Sequence, residues 1–292
     1  MSKKHQRWGW VFVSPYLIGF IIFTFVAVLF SGYVSFTDYN LIRTPNWIGI
    51  KNYSNILKDP AVWASFRNVL IYGLLVESMQ LVFGCILAVL MNVKTRGMGV
   101  YRTAFFIPGL VSMVAVSFVW TYMYNPSYGI FNYVFSYLGI GPFKYTFSSN
   151  WFEFLVSIAF MNTWRGLGYI ILYLLGALQN ISTDVIEASM IDGAGRIRRF
   201  FSITLPLITP TIFFLLVIGV INSIQAFDSF YVMVNNAETG ANIESVGMLI
   251  YNHAFVYNEM GIAAAISWVS FAVMAILTVM QKKLEKRYVH YA

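Results

Sequence analysis

The chain has 292 residues, of which 59% are hydrophobic and only 11% charged, with a formal net charge of +7. A soluble domain carries about 25% charged residues, and a water-facing surface of this composition would expose apolar patches that soluble proteins avoid. The basic residues fall in short clusters between apolar runs, which speaks for membrane topology and against nucleic-acid binding.

A helix needs about 20 apolar residues to cross the hydrocarbon core, and lipid leaves open strands no way to satisfy their backbone. Six stretches qualify, predicting an all-α polytopic membrane protein with a single domain over residues 1–292. The first runs from about Trp10 to Ser31, behind Ser2-Lys3-Lys4-His5-Gln6-Arg7. It is too long for a signal-peptide core and no small-x-small cleavage site follows, so it reads as an uncleaved span. The second covers Val69–Asn92 and contains Glu77 and Cys85. Cys85 is the one cysteine of the chain and reads as a small buried apolar residue. The third is Ala104–Tyr124, the fourth Phe154–Leu178 with Arg165 inside it, the fifth Leu205–Ala226 and the sixth Gly261–Met280.

Lys3, Lys4 and Arg7 precede the first span, and Lys94, Arg96 and Arg102 follow the second. Arg196, Arg198 and Arg199 follow the fourth, and Lys282, Lys283, Lys286 and Arg287 the sixth, giving thirteen basic residues on one side. The other side has five: Arg43, Lys51, Lys58, Arg67 and Lys144. The positive-inside rule then predicts both termini in the cytoplasm, and an even number of spans requires the two ends on one side. The outer loops mix aromatics with turn residues, Pro45, Gly49 and Asn52 in the first and Pro126, Gly129 and Pro142 in the second.

The cytoplasmic loop 179–204 is the most informative segment. Ser182 is suited to cap a helix, with Asp184 in the first turn to complement the dipole. Val185, Ile186, Ser189 and Met190 share one face of that helix, and Gly193 is placed to end it. Pro206 suits the first turn of the following span. The expected element is a short amphipathic helix, a tight turn and a return to the membrane, shaped either to dock in a groove of another protein or to rest on headgroups.

The spacing of particular residues shifts the balance toward docking. Glu187-Ala188-Ser189, then Gly193, then nine residues, then Ile203-Thr204-Leu205-Pro206 resembles the EAA motif of permease subunits in binding-protein-dependent ABC importers. Ser189 replaces the second alanine, a small-for-small change, and Asp192-Gly193-Ala194 is similar to the sugar permeases of that family. Ser35-Phe36-Thr37-Asp38, Trp47-Ile48-Gly49 with Asn52-Tyr53, Tyr101 to Pro108, and Trp120 with Asn125-Pro126 and Gly129-Ile130 resemble the carbohydrate-uptake branch, in particular maltose permeases of the larger-subunit type. Val234-Asn235-Asn236-Ala237-Glu238 departs from that branch, which often has a Thr-Gly-Gly-Gly-Pro-like turn here.

The resemblance implies a six-helix transmembrane domain of the type I ABC importer kind in a bacterial or archaeal cell membrane. It implies a second homologous permease subunit, two cytoplasmic ATPase subunits, an extracytoplasmic solute-binding protein and an oligosaccharide or modified sugar as substrate. Glu187, Ala188, Ser189, Asp192, Gly193, Ala194, Ile203, Leu205 and Pro206 would then couple the chain to an ATPase, and transport would proceed by alternating access. ATP and Mg would be bound by that partner, since this chain lacks a Gly-x-x-x-x-Gly-Lys-Ser/Thr run and is expected to be no enzyme. No cofactor or metal is expected: His5, His253 and His290 have no ligand-like spacing.

Ionisable residues inside a membrane point to function. Asn162, Arg165, Gly166 and Tyr169 recur at i, i+3, i+4 and i+7, a polar and aromatic stripe suited to a sugar ring. Arg165 is open to two readings, contact with an acidic or phosphorylated sugar, or pairing with a carboxylate or backbone carbonyls. Asn222, Ser223, Gln225 and Asp228 form a second polar group near the outer end of the fifth span, for cavity lining or helix–helix hydrogen bonding. Glu77 on the second span is open to a part in transport or to contact with a partner subunit or a headgroup. A six-span intramembrane protease is disfavoured because the spans hold serines but no histidine. A secondary transporter or channel would not need the docking loop.

Overall fold

The computed structural model describes residues 3–93, 95–125, 127–139, 151–236 and 243–289. Of the positions singled out above, Ser2, Lys94, Pro126, Pro142, Lys144, Ala237, Glu238 and His290 lie outside the described residues. The helices are α1 (Trp10–Val34), α2 (Lys51–Lys58), α3 (Pro60–Met91), α4 (Met98–Leu110), α5 (Met113–Tyr124) and α6 (Ile130–Tyr137). They continue with α7 (Trp151–Gln179), α8 (Thr183–Ile191), α9 (Arg196–Ile224), α10 (Asp228–Asn235), α11 (Val246–Val256) and α12 (Met260–Tyr288). The fold is all-helical, with one isolated bridge, Thr37–Trp47, among the described residues.

Five helices, α1, α3, α7, α9 and α12, are long and apolar enough to cross a membrane, and the pair α4 and α5 makes a sixth only as a span bent by 97°. The straight third span expected over Ala104–Tyr124 is therefore broken. Val111 and Ser112 are extended, with ψ of 143° and 133°. Just before them Pro108 lacks an N–H and Gly109 is a weak helix former, so the helix has little to lose by ending there.

Two other boundaries move for local reasons. α3 begins at Pro60 rather than Val69, because Asp59 Oδ1 accepts from Ala61 N at 2.8 Å and proline suits the first helical turn. The fifth span does not start at Leu205 but continues unbroken from Arg196. A π turn over Phe200–Thr204 widens the helix there, and the Leu205 N–H bonds Phe200 O. This wider turn accommodates Pro206, which cannot donate to the ladder and lies inside the helix rather than in its first turn.

Contacts divide the chain into two compact units, residues 1–63 with 249–272, and residues 64–248 with 273–292. In the first, the loop after α1 is tied down by side chains. Asn52 Nδ2 donates to the carbonyls of Ser35 (2.9 Å) and Thr37 (2.8 Å), and Ser35 Oγ shares a hydrogen bond with Tyr53 OH at 2.8 Å. Asp38 Oδ1 accepts from the Asn46 backbone N–H at 2.8 Å and Oδ2 from its amide at 3.3 Å. The backbone bond above all, helped by the side-chain one, holds the Asp38 carboxyl below its ordinary range. Phe36 stacks on Trp47 at 5.3 Å. The residues that carried the likeness of this loop are thus its own fastenings. On α12, Trp268 Nε1 donates to Ser31 Oγ at 3.1 Å, with its ring packed over Gly32.

The second unit has α7 at its centre. Half of the apolar window of α7 is buried, against 6% of that of α1. Phe154, Leu155, Ile158 and Met161 pack with Tyr72, Trp120 and Phe230 in one apolar cluster. Leu167, Ile171, Leu174 and Leu175 pack with Ala88, Ile208 and Leu215 in another. α4 lies so close to α7 that a Cβ on Gly168 would strike the backbone of Phe105 and Phe106.

Candidate functional site

Beside the two clusters the second unit forms a half-open cavity of about 600 Å³. All eight residues expected from the two polar groups line it: Asn162, Arg165, Gly166 and Tyr169 from α7, and Asn222, Ser223, Gln225 and Asp228 from α9 and the start of α10. The α7 positions follow from helical period, since residues three or four apart face the same side, whereas Gln225 and Asp228 flank the turn between α9 and α10. Asn222, Gln225 and Asp228 are exposed to the cavity, whereas Ser223 is buried against Gly73 of α3. Asp228 sits in the first turn of α10, where the helix dipole favours its negative charge.

α3 adds Glu77, whose role the sequence leaves open, and two residues the sequence does not single out, Tyr72 and Gln80; all three line the same cavity. Gln80 Nε2 donates to Asn162 O at 3.2 Å, and its amide covers Gly166. The space beside Gly166 on the stripe is thereby filled from α3. Glu77 lies in the same way over Gly219 of α9. The signal available was Glu77 and Gln80 three apart in an otherwise apolar run, which puts both on one helical face.

Arg165 bonds backbone. Its Nε and Nη2 donate to Val111 O at 3.3 and 3.0 Å, and Nη2 also to Gly109 O at 3.3 Å. These carbonyls are freed where α4 gives way to α5, and a helix C-terminus favours a cation. Gly109 also packs against the Tyr169 ring, and Phe106 meets that ring edge-on at 5.0 Å. The stripe on α7 therefore seats the elbow of the broken span as well as lining the cavity.

At the other end of α7 lies the loop with the docking motif. Ser182 Oγ accepts from Asp184 N at 3.2 Å and caps α8. The helix ends at Ile191, Gly193 has φ of +76°, and two bonds close the turn: Gly193 N to Met190 O (3.1 Å) and Ala194 N to Ser189 O (3.0 Å). This pair is the Schellman arrangement, which needs the left-handed residue that glycine provides. Ser189 is 4% exposed, and its hydroxyl donates to Ile186 O at 2.6 Å. The single face expected for four residues is divided. Ser189 is buried and Ile186 half-buried, while Val185 and Met190 are exposed. Ile191 and Ile197 stand out further, at 87% and 77% exposure. Glu187 and Met190 line a second cavity of about 790 Å³ with Arg102 of α4. Ile203 lies on the π turn of α9, and Leu205 and Pro206 follow it. Asp192 and Ala194 flank the glycine of the turn, and Ala188 is exposed on α8.

No group of His, Cys, Asp and Glu fit to hold a metal ion is found among the described residues.

The profile of the family described as "Binding-protein-dependent transport system inner membrane component" matches residues 80–290. The probable ABC transporter permease protein YesP of Bacillus subtilis is 32% identical over 99% of this chain and 94% of its own length. The trehalose/maltose transport system permease protein MalF of Thermococcus litoralis is 29% identical over 97% of this chain and 95% of its own. Among solved structures, a bacterial ABC transporter involved in the import of the acidic polysaccharide alginate superposes with a TM-score of 0.83. That match covers 98% of each chain at 21% identity and shows the fold. The chain therefore belongs to the family of inner membrane components of binding-protein-dependent transport systems.

Proposed function

We propose that this chain is a permease subunit of an ATP-driven importer for an oligosaccharide or modified sugar, and that the loop around α8 couples it to a separate ATPase. The observation that carries this reading is the place of α8 between the two helices that furnish the cavity. α7 brings Asn162 and Tyr169 and ends at Gln179; α9 starts at Arg196 and reaches Asn222 without a break. At 1.5 Å per residue α9 is a strut of roughly 40 Å. A displacement of a firmly capped α8 is delivered to the cavity walls through both helices, as a rigid lever requires.

The partners in this reading are a second homologous permease subunit, two cytoplasmic ATPase subunits that bind ATP and Mg, and an extracytoplasmic solute-binding protein. The excess of Lys and Arg on the α8 side supports placing it and both termini in the cytoplasm. The chain itself performs no hydrolysis; it opens the cavity to one side and then the other. The sugar class is supported by the hydroxyl-matching amides of the cavity and by the names of the relatives. The test is uptake of labelled oligosaccharides into vesicles reconstituted with the assembled importer. Accumulation is expected to require ATP and the ATPase subunits, and accumulation without them would contradict the reading.

A further inference from the structure

α5, the outer half of the broken span, ends at Tyr124, and α6 starts at Ile130. The turn between them is tight. Asn125 Oδ1 accepts from Ser127 N at 2.8 Å, and its carbonyl accepts from Gly129 N at 2.8 Å. A Cβ on Gly129 would strike the carbonyl oxygens of Met123 and Asn125, so only glycine fits. α6 then rests on the end of α5. Phe131 meets the rings of Trp120 at 5.6 Å and Tyr124 at 5.3 Å, and the buried Asn132 donates from Nδ2 to Asn125 O at 3.3 Å. The other face carries Ile130, Tyr133, Val134, Tyr137 and, at the cap, Leu138, whose spacing of i, i+3, i+4, i+7 and i+8 makes one stripe. All five are exposed, Tyr133 to 75% and Tyr137 to 85%, and α6 has no charged residue. In water such a face is a liability.

The stripe continues the apolar surface of the span. Phe118, Val119 and Tyr122 are exposed on α5, and the Tyr122 ring lies 6.4 Å from that of Tyr128 at the entry to α6. An uncharged stripe with tyrosines at the end of a span suits the boundary between hydrocarbon and headgroups. A face for a soluble partner that comes and goes would stand in water between encounters, with no charged group to keep it wet. We infer that α6 is an interfacial anchor, its stripe seated in the membrane–water boundary, and that it holds the outer half of the broken span at a fixed depth. α5 needs such a hold, since its 12 residues cover only about 18 Å of a hydrocarbon core of roughly 30 Å. The inference goes beyond the transport reading and requires only that the chain cross a membrane.

The test spin-labels single cysteines in the Cys85→Ser background, in the importer assembled in membrane vesicles. Tyr133→Cys and Tyr137→Cys sample the stripe, and Ser136→Cys samples an exposed flank of the same helix. Collisions with oxygen, which concentrates in the hydrocarbon, are compared with collisions with a water-soluble nickel chelate. The stripe labels are expected to lie about 5–10 Å below the headgroups. Chelate access should be greatest at Ser136→Cys, and adding the solute-binding protein should alter neither result. Two stripe positions keep the test decisive where one variant fails to assemble. Chelate access at the stripe equal to that at Ser136→Cys overturns the inference. So does a stripe that neither reagent reaches, or one that loses chelate access only when the solute-binding protein is added, which would make it a protein interface.

Discussion

Glycines on α7 meet very different surroundings. A Cβ at position 168 would collide with the backbone of α4, whereas one at position 176 meets nothing within 4 Å. Backbone cannot step aside as a side-chain tip can, so Gly168→Ala should cost about 1–3 kcal/mol as an overpacking change. Gly176→Ala should be neutral or stabilise by up to about 1 kcal/mol. Melting of the two variants in the same detergent checks the contrast, and equal shifts would remove the close-approach account. Arg165 gives a second test. Lysine keeps the charge but not the planar fork. Arg165→Lys should therefore lower stability nearly as much as Arg165→Ala, by about 1–3 kcal/mol for carbonyls left without donors; full stability of the lysine variant would mean that charge alone suffices. The sequence made Arg165 conspicuous but left its partner open, because the carbonyls it binds exist as acceptors only once the third span breaks.

Elements were legible where a local cap or a long apolar run defined them. The Ser182 cap and the Gly193 turn of α8 were readable because both act within a few residues. The π turn of α9 was not, since a widened turn and a plain helix have the same apolar composition, and only Pro206 hinted at it. The elbow between α4 and α5 was missed because hydropathy adds up across Pro108-Gly109 without registering direction. Gly193→Pro removes both the positive φ and the N–H to Met190 O, so it should abolish uptake and ATPase association while insertion persists. Glu187→Lys should do the same, and normal association in both variants would detach the loop from coupling.

In the loop after α1, the lowered pKa of Asp38 has a defined sign. A folded-state pKa below the unfolded value gives stabilisation that is complete above about pH 4 and is lost as the pH falls through the lower, folded value. Asp38→Asn keeps an acceptor for Asn46 without titrating, so its melting temperature should fall less than that of the parent between pH 6 and about pH 3. Parallel curves would show that the Asp38–Asn46 bonds contribute nothing measurable.

At the scale of the whole chain, composition alone established a membrane protein, and the count of long apolar runs matched five crossing helices and a bent pair. The cavity was half legible. Its α7 wall was legible in helical spacing and its α9 wall in a cluster of polar residues, but the α3 wall depends on which helices become neighbours, and periodicity along one helix does not encode that. The central claim is that α8 is the handle of an ATPase. Its most direct test places a short cross-linker at Ile191→Cys, in the Cys85→Ser background, in the importer assembled in membranes. The account predicts an adduct with the ATPase subunit whose yield changes when ATP binds. Adducts with lipid alone, at a yield indifferent to ATP, would contradict it.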